Sequence, residues 1–430
     1  MVSSTAPADA TRCHRLSTVV PGSVTAENTV HELTGGDLAV KLHYLRAVYY
    51  FAPSETVEGL TVPHIKEPMF PLLDIYYPAA GRIRRDDAGR PRVRCNDGGV
   101  RIVEASLEWT VEEWLRRREV NSHRRLVPEK AVGPDIHFSP TVFIQFTRFK
   151  CGGMAVGLSW AHLLGDAVSA SNFINLWGQI LSSKVNVKKL DLSLRNEPEK
   201  SAREEQSTEL PLSVKQAKHV GDFWLPPNTK QMATFSIELT AARLTNLLSQ
   251  IPTKISTFEV ISALIWQAIS KTRAEREPKM VTVCRSCSNE ITEVLSNQLK
   301  VKTVIANSSP AKSGLLELAK MLSREAMDEM KTIQEIVDKQ SEEMDVVLYG
   351  SNLTFVDMES IDFYGLEIKG QKPVYVDYSI HGVGDEGVVL VLQGPEANDG
   401  GNKGRVVSFI LPEEEISLLQ ELLENDWGIA

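Results

Sequence analysis

No run of about 18 consecutive apolar residues occurs in this 430-residue chain, so no membrane-spanning helix is expected. The first fifteen residues, Met1 to Arg15, are polar and lack the apolar centre of a secretory signal, so none is expected. Cysteine is sparse: the five present favour reduced thiols in a cytosol-facing compartment over a disulfide framework. Cys284 and Cys287 make a single C-x-x-C with no second pair and no thioredoxin-like surroundings, and they read as structural. Positive charge is not in excess. The formal net charge of −9 argues against nonspecific nucleic-acid binding, and its even spread gives no sign of a cationic substrate. Three catalytic patterns are also missing: G-x-S-x-G, H-E-x-x-H and G-x-x-x-x-G-K-[ST]. Covalent, zinc and nucleotide mechanisms therefore find no support, and direct attack assisted by one general base remains.

What is present is a globular composition, 42% hydrophobic and 24% charged, in a chain long enough for two or three domains. Strand-like and helix-like stretches alternate without an internal repeat. An opening strand is expected over residues 15–25, a turn at Thr34–Asp37, and an aromatic strand over Tyr44–Phe51. Pro63–Tyr77 has helical spacing but carries Pro68 and Pro71, which predicts a kink or two short pieces. Arginines 82, 84, 85, 90, 92 and 94 flank a turn and read as a solvated hairpin face. Thr110 with Glu113, and Ser256 with Glu259, are capping boxes that open helices. A long amphipathic helix is expected over Leu315–Gln340, and Pro412 stands at the start of the last helix. Lys184 to Gly221 is rich in Lys, Glu and Ser and has no sustained period. It reads as a connection between an N-terminal half, 1–183, and a C-terminal half, 222–430. The basic cluster Arg116–Arg118 with Arg124 and Arg125 reads as a solvated helix face, the other reading being contact with anionic lipid or an acidic partner.

The chemistry-bearing element is His162-Leu163-Leu164-Gly165-Asp166, an H-x-x-x-D after an apolar strand (Met154–Trp160) and before a helix (Ala167–Leu181). A histidine at such a junction could take a proton from an attacking alcohol or amine, or it could be a packing histidine at a strand end. Spacing alone does not decide between these, because His381-Gly382-Val383-Gly384-Asp385 has the same pattern in what reads as a turn among glycines. Catalysis requires that the ring be reachable from solvent; a sealed ring leaves a surface-contact role.

Arg148–Gly153, Ser159–Asp166 and Asn172–Trp177 together resemble the central block of plant BAHD acyltransferases. Leu33-Thr34 with Asp37-Leu38, Tyr77–Ile83, Cys95–Val100, Ser256–Glu259 with Trp266, and Leu411–Glu415 resemble the same family, so the match covers nearly the whole chain. The resemblance implies an α/β fold of two chloramphenicol-acetyltransferase-like domains with mixed sheets, joined by a long crossover at 184–221. It implies acyl transfer from coenzyme A to an alcohol or amine, with His162 as general base in a channel between the domains. Asp166 would be the structural aspartate, and Ser351, Asn352 and Thr354 the nearest oxyanion or pocket candidates. No tightly bound cofactor or metal is implied; acyl-CoA would be substrate or ligand. The chain departs from the family at Ala161, where a second histidine is frequent, and at Ala167, where glycine is usual. The family's D-F-G-W-G signature, aligned on Lys372-Pro373, is here Glu367-Ile368-Lys369-Gly370-Gln371, and Arg285 is the only candidate for the arginine element beside it. That signature normally supports the coenzyme A side of the channel, so its erosion weighs against ordinary acyl-CoA turnover.

Within the family, Arg15–Pro21, Lys41–Tyr49, Gly157–His162, Asn352–Val356 and Ile380–Asp385 resemble the Eceriferum/Glossy-type cuticular-wax proteins. That subgroup implies an accessory role: helping a membrane-bound condensing enzyme of the fatty-acid elongase (a ketoacyl-CoA synthase) extend very-long-chain acyl-CoAs toward wax precursors. The chain would then be a monomer apart from its partner, held by that partner at the cytosolic face of the endoplasmic reticulum.

Overall fold

The aromatic stretch expected as a strand is fully buried over Tyr44–Phe51 and lies near one edge of a six-stranded sheet. Across this sheet the order is Arg12–Val19, Val100–Leu107, Val142–Phe149, Met154–Ala161, Tyr44–Phe51 and Tyr375–His381. The pair 100–107 with 142–149 is parallel and the other neighbours are antiparallel. A second six-stranded sheet runs Met232–Leu239, Arg405–Pro412, Val388–Gln393, Leu353–Met358, Met280–Ser286 and Leu299–Ile305, again mixed. The structure, a computed structural model, describes residues 11–117, 119–129, 132–185, 209–218, 220–249, 251, 254–286, 295–339, 344–395 and 403–428. Most of the expected connection (186–208 and 219), Arg118 and Cys287 lie outside the described residues.

The boundary drawn at 222 is crossed. Tyr375–His381 leaves the C-terminal half and pairs with Tyr44–Phe51, so the first sheet contains a strand from each side of the crossover. A continuous apolar core follows, running from Leu72 and Trp160 to Leu348, Leu366 and Ile380. The second lobe has its own core, in which the helix Thr257–Thr272 packs through Phe258, Leu264 and Trp266.

Local sequence explains most elements. Both capping boxes form: Thr110 N–H donates to Glu113 at 2.8 Å, and Ser256 N–H to Glu259 at 2.9 Å. The proline-bearing stretch is two short helices, Val62–Lys66 and Met69–Ile75. Thr34–Asp37 corrects an expected turn. Thr34 caps a short helix, Gly35–Ala39, whose close approach to Gln334 O leaves no room for a Cβ at Gly35. The helix expected over Leu315–Gln340 is in fact two, Leu315–Ser323 and Met330–Lys339. Lys302 Nζ donates to Leu322 O and Arg324 O and ends the first; Asp328 Oδ1 accepts from Met330 N–H and starts the second. Part of the basic cluster is tied up locally. Arg116 pairs with Glu112, Arg117 with Glu119, and Arg117 and Arg125 lie over the rings of Trp109 and Trp114.

Gly157 shows how tightly the site-bearing strand is covered. A Cβ there would lie 1.9 Å from Leu126 O, because the 126–127 segment crosses directly over the strand. Gly157→Ala is expected to destabilise the chain by about 1–3 kcal/mol through overpacking, seen as a lower urea midpoint with an unchanged slope.

Candidate functional site

Strand Met154–Ala161 delivers His162 into a single 3-10 turn, and Asp166 then caps the helix Ala167–Leu181. Gly165, between them, packs against Ser169, with no space for a side chain. The Asp166 carboxylate has four donors. Oδ1 accepts from Val168 N–H at 3.0 Å and Ser169 N–H at 3.1 Å; Oδ2 accepts from Gln298 N–H at 3.3 Å and the Ser286 hydroxyl at 3.4 Å. Its own N–H donates to Ser296 O at 2.9 Å. Burial raises its pKa against these bonds, which lower it. Among the described residues no cation pairs with it, so it fastens the junction to the second lobe through neutral donors.

The His162 imidazole is 1% exposed. Its Nε2 is 3.1 Å from the Tyr349 hydroxyl, and the two rings stack with centroids 5.6 Å apart. Its N–H donates to His43 O at 3.1 Å, and its carbonyl accepts from Asn297 Nδ2 at 3.0 Å. The same Asn297 amide donates to Asp37 at 2.8 Å. His162 Nδ1 and Asn297 Oδ1 are both buried without a hydrogen-bond partner. Burial lowers the His162 pKa to about 4, so the ring is neutral at neutral pH. Tyr349 shifts the other way, raised by burial first and then by its neighbours, the Asp166 carboxylate among them, and keeps its proton.

Tyr349 is held from behind by His43. That ring's Nδ1–H donates to Gly382 O at 2.8 Å, leaving Nε2 to accept from Leu348 and Tyr349 N–H at 3.3 and 3.4 Å. Tyr349, His43, Asn297 and Asp37 were not picked out as site residues from the sequence. Their common signal is burial of polar groups around one histidine, which no short motif encodes.

The other expected site residues divide into two places. Ser351, Asn352 and Thr354 lie just beyond Tyr349, but their donors are engaged. Ser351 donates to Ser213 O at 2.5 Å, Asn352 to Leu212 O at 2.7 Å, and Thr354 to Asn352 O at 2.8 Å. They hold the turn that carries Tyr349 and offer no hydroxyl or amide to an oxyanion as they stand. Glu367–Gln371 is elsewhere. Ile368 and Gln371 exchange backbone bonds around a two-residue turn, Lys369 and Gly370, with φ of 46° and 95°. This turn is fixed at the far end of the site helix: Ser182 Oγ donates to Glu367 O, Lys184 pairs with Glu367, and Ser54 donates to Gln371 at 2.7 Å. The helix between is 15 residues, about 22 Å. The Glu367–Gln371 loop braces the end of that helix remote from His162. Arg285, on strand Met280–Ser286, pairs with Glu259 and Asp357 and lies over Phe258. His381 is also corrected: it ends a strand, opposite Tyr44, and is not in a turn.

Comparison with known proteins agrees with this architecture. The model of a family described as the Transferase family matches residues 13–426. The chain is similar to Protein ECERIFERUM 26-like of Arabidopsis thaliana, 40% identical over 94% of this chain and 92% of that one. Protein ECERIFERUM 2 of the same plant is 38% identical over 96% and 97%. Among solved structures, vinorine synthase superposes with a TM-score of 0.70 at 17% identity, over 96% of this chain and 98% of that one. TRI101 of F. graminearum, complexed with ethyl coenzyme A, superposes with a TM-score of 0.69 at 15% identity, over 93% and 98%. The fold is the two-domain chloramphenicol-acetyltransferase-like α/β arrangement.

Proposed function

The chain belongs to the Transferase (BAHD) family, among the Eceriferum-type cuticular-wax proteins, and from that premise we propose that it is an accessory protein of the fatty-acid elongase. In this role it contacts a membrane-bound condensing enzyme, a ketoacyl-CoA synthase, and lets it make longer acyl-CoA wax precursors. The observation that carries the reading is the capped imidazole: Nε2 of a 1% exposed ring is occupied by a tyrosine hydroxyl, and the nearby oxyanion candidates are engaged. A base so covered suits a protein whose output does not pass through proton abstraction. No helix among the described residues is long and apolar enough to cross a membrane, so the partner supplies attachment at the cytosolic face of the endoplasmic reticulum.

The test is co-expression with a condensing enzyme in a host with a simple acyl profile. Longer acyl products are expected with both proteins and not with either alone, and His162→Ala is expected to retain the lengthening. No lengthening with the unaltered chain would end the proposal. Loss of lengthening in a folded His162→Ala protein would turn it toward chemistry at the histidine.

A second reading, coenzyme A-dependent acyl transfer to an alcohol or amine with His162 as general base, draws on one specific observation. Burial keeps His162 in its neutral form, and its carbonyl, its N–H and Asp166 are all fixed, so the ring is pre-positioned once Tyr349 moves aside. Acyl-CoA is then the substrate; in the accessory role it is a ligand. Free coenzyme A released by purified protein, and reduced about 10²–10⁴-fold in His162→Ala, would favour this reading.

A further inference from the structure

Arg46 is a buried cation with no carboxylate in ion-pair distance among the described residues; Glu129, which lies 3.9 Å from Arg124, acts on it only from further away. Arg46 is 3% exposed, in the middle of strand Tyr44–Phe51 opposite Ser379. Its Nη2 donates to the Glu129 carbonyl at 2.9 Å, and its Nε has no hydrogen-bond partner. A guanidinium in this position is costly unless an anion completes its shell.

Arg46 lines a cavity of about 380 Å³ between the first sheet and the segment leading into strand Met232–Leu239. Arg124 and Lys230 line it too, but both have partners. Arg124 donates to Met232 O and lies 3.9 Å from Glu129; Lys230 pairs with Glu414 at 3.0 Å and Glu415 at 3.6 Å. His123 and His381 also face it. Burial and then the two arginines lower the pKa of both rings, so the histidines add no charge of their own. The remaining wall mixes apolar residues, Leu225, Ile380 and Ile410 among them, with polar ones such as Asn228 and Gln231. The cavity is separate from the His162 ring but adjoins its support, since Gly382 lines it and accepts the His43 Nδ1–H.

We infer that this cavity is a binding site for a carboxylate that carries an apolar chain, with Arg46 as its anchoring cation. A bare inorganic anion would leave the apolar part of the wall wet, and a neutral chain would leave the guanidinium with no carboxylate in ion-pair distance. A carboxylate with an aliphatic tail satisfies both. The inference requires neither acyl transfer nor a condensing enzyme, so it stands or falls apart from the function proposed above.

Calorimetric titration of the full chain with sodium octanoate, n-octanol and inorganic phosphate tests it. Octanoate is expected to bind at least about tenfold more tightly than either of the others, the size of one buried charge-assisted contact. Arg46→Met is expected to lose that preference, binding octanoate at least about tenfold more weakly with octanol unchanged. The comparison of ligands on the unaltered chain decides the matter even where the variant does not fold. Octanol binding as tightly as octanoate, phosphate binding as tightly as octanoate, or no octanoate binding would each overturn the assignment.

Discussion

Between pH 7 and pH 5 the chain is expected to lose several kcal/mol of stability, measured as a fall in the urea midpoint. The cause is four buried histidines. Burial lowers the pKa of His43, His123 and His381 to about 3 and that of His162 to about 4, while in the unfolded chain each titrates near 6.5. Below 6.5 the unfolded state therefore binds protons that the folded state refuses, so stability rises with pH through this window and falls as acid is added. Each histidine contributes a loss of about 1–2 kcal/mol by pH 5. Asp377 works in the opposite direction. Burial raises its pKa to about 6, so protonation favours the folded state as the pH drops and returns about 1 kcal/mol; Asp166 and Asp357, also raised by burial, act in the same direction. The histidines outweigh these carboxylates, and the net change is a loss of several kcal/mol. His123→Gln, which removes one of the four, should flatten the pH slope without abolishing it. A urea midpoint unchanged from pH 7 to pH 5 would show that these rings are not neutral and enclosed as described.

The same four histidines mark the limit of what the sequence could say. Elements fixed by local rules were legible: the strand Tyr44–Phe51 and the helix Ala167–Leu181 fall on the residues expected of them, because an aromatic strand-forming run and a capping aspartate are short-range signals. The break at 324–329 was not, since it is made by Lys302 and by acidic side chains that cap backbone groups from another strand. The junction carrying His162 was legible as a place. Its chemistry was not, because Tyr349 lies 187 positions away and only the crossing of the two lobes brings its hydroxyl to Nε2. Ser351, Asn352 and Thr354 were named for a property of the family pattern. In the structure their polar groups are taken by residues 212–213, by Thr282 and by one another. Arg46 stood in a run noticed only for its resemblance. That it is buried, with no carboxylate in ion-pair distance among the described residues, could not be read from alternation on a strand whose residues are all buried.

Asp166→Ala should be among the most damaging single changes in the chain, costing about 3–5 kcal/mol in urea unfolding. The substitution removes one helix cap, worth about 1–2 kcal/mol, and orphans the buried Ser169 N–H and the half-buried Gln298 N–H. It also cuts a tie between lobes, since Gln298 and Ser286 belong to the second half and Val168 and Ser169 to the first. Asp166→Asn separates these contributions. Its amide oxygen can still cap the helix, while its NH2 faces the Gln298 N–H and finds an acceptor only if the Ser286 hydroxyl turns round, so a loss of about 1–2 kcal/mol is expected. If Asp166→Ala cost less than about 1 kcal/mol, the aspartate would not be the fastening described, and its place in the H-x-x-x-D element would need a chemical explanation. The expected ordering, Ala well below Asn and Asn below the unaltered chain, follows from a carboxylate that acts on four neutral donors and touches neither His162 nor any cation among the described residues. On that argument the element persists in this chain because the aspartate holds two lobes together around the histidine, a requirement that remains whether or not the imidazole ever takes a proton.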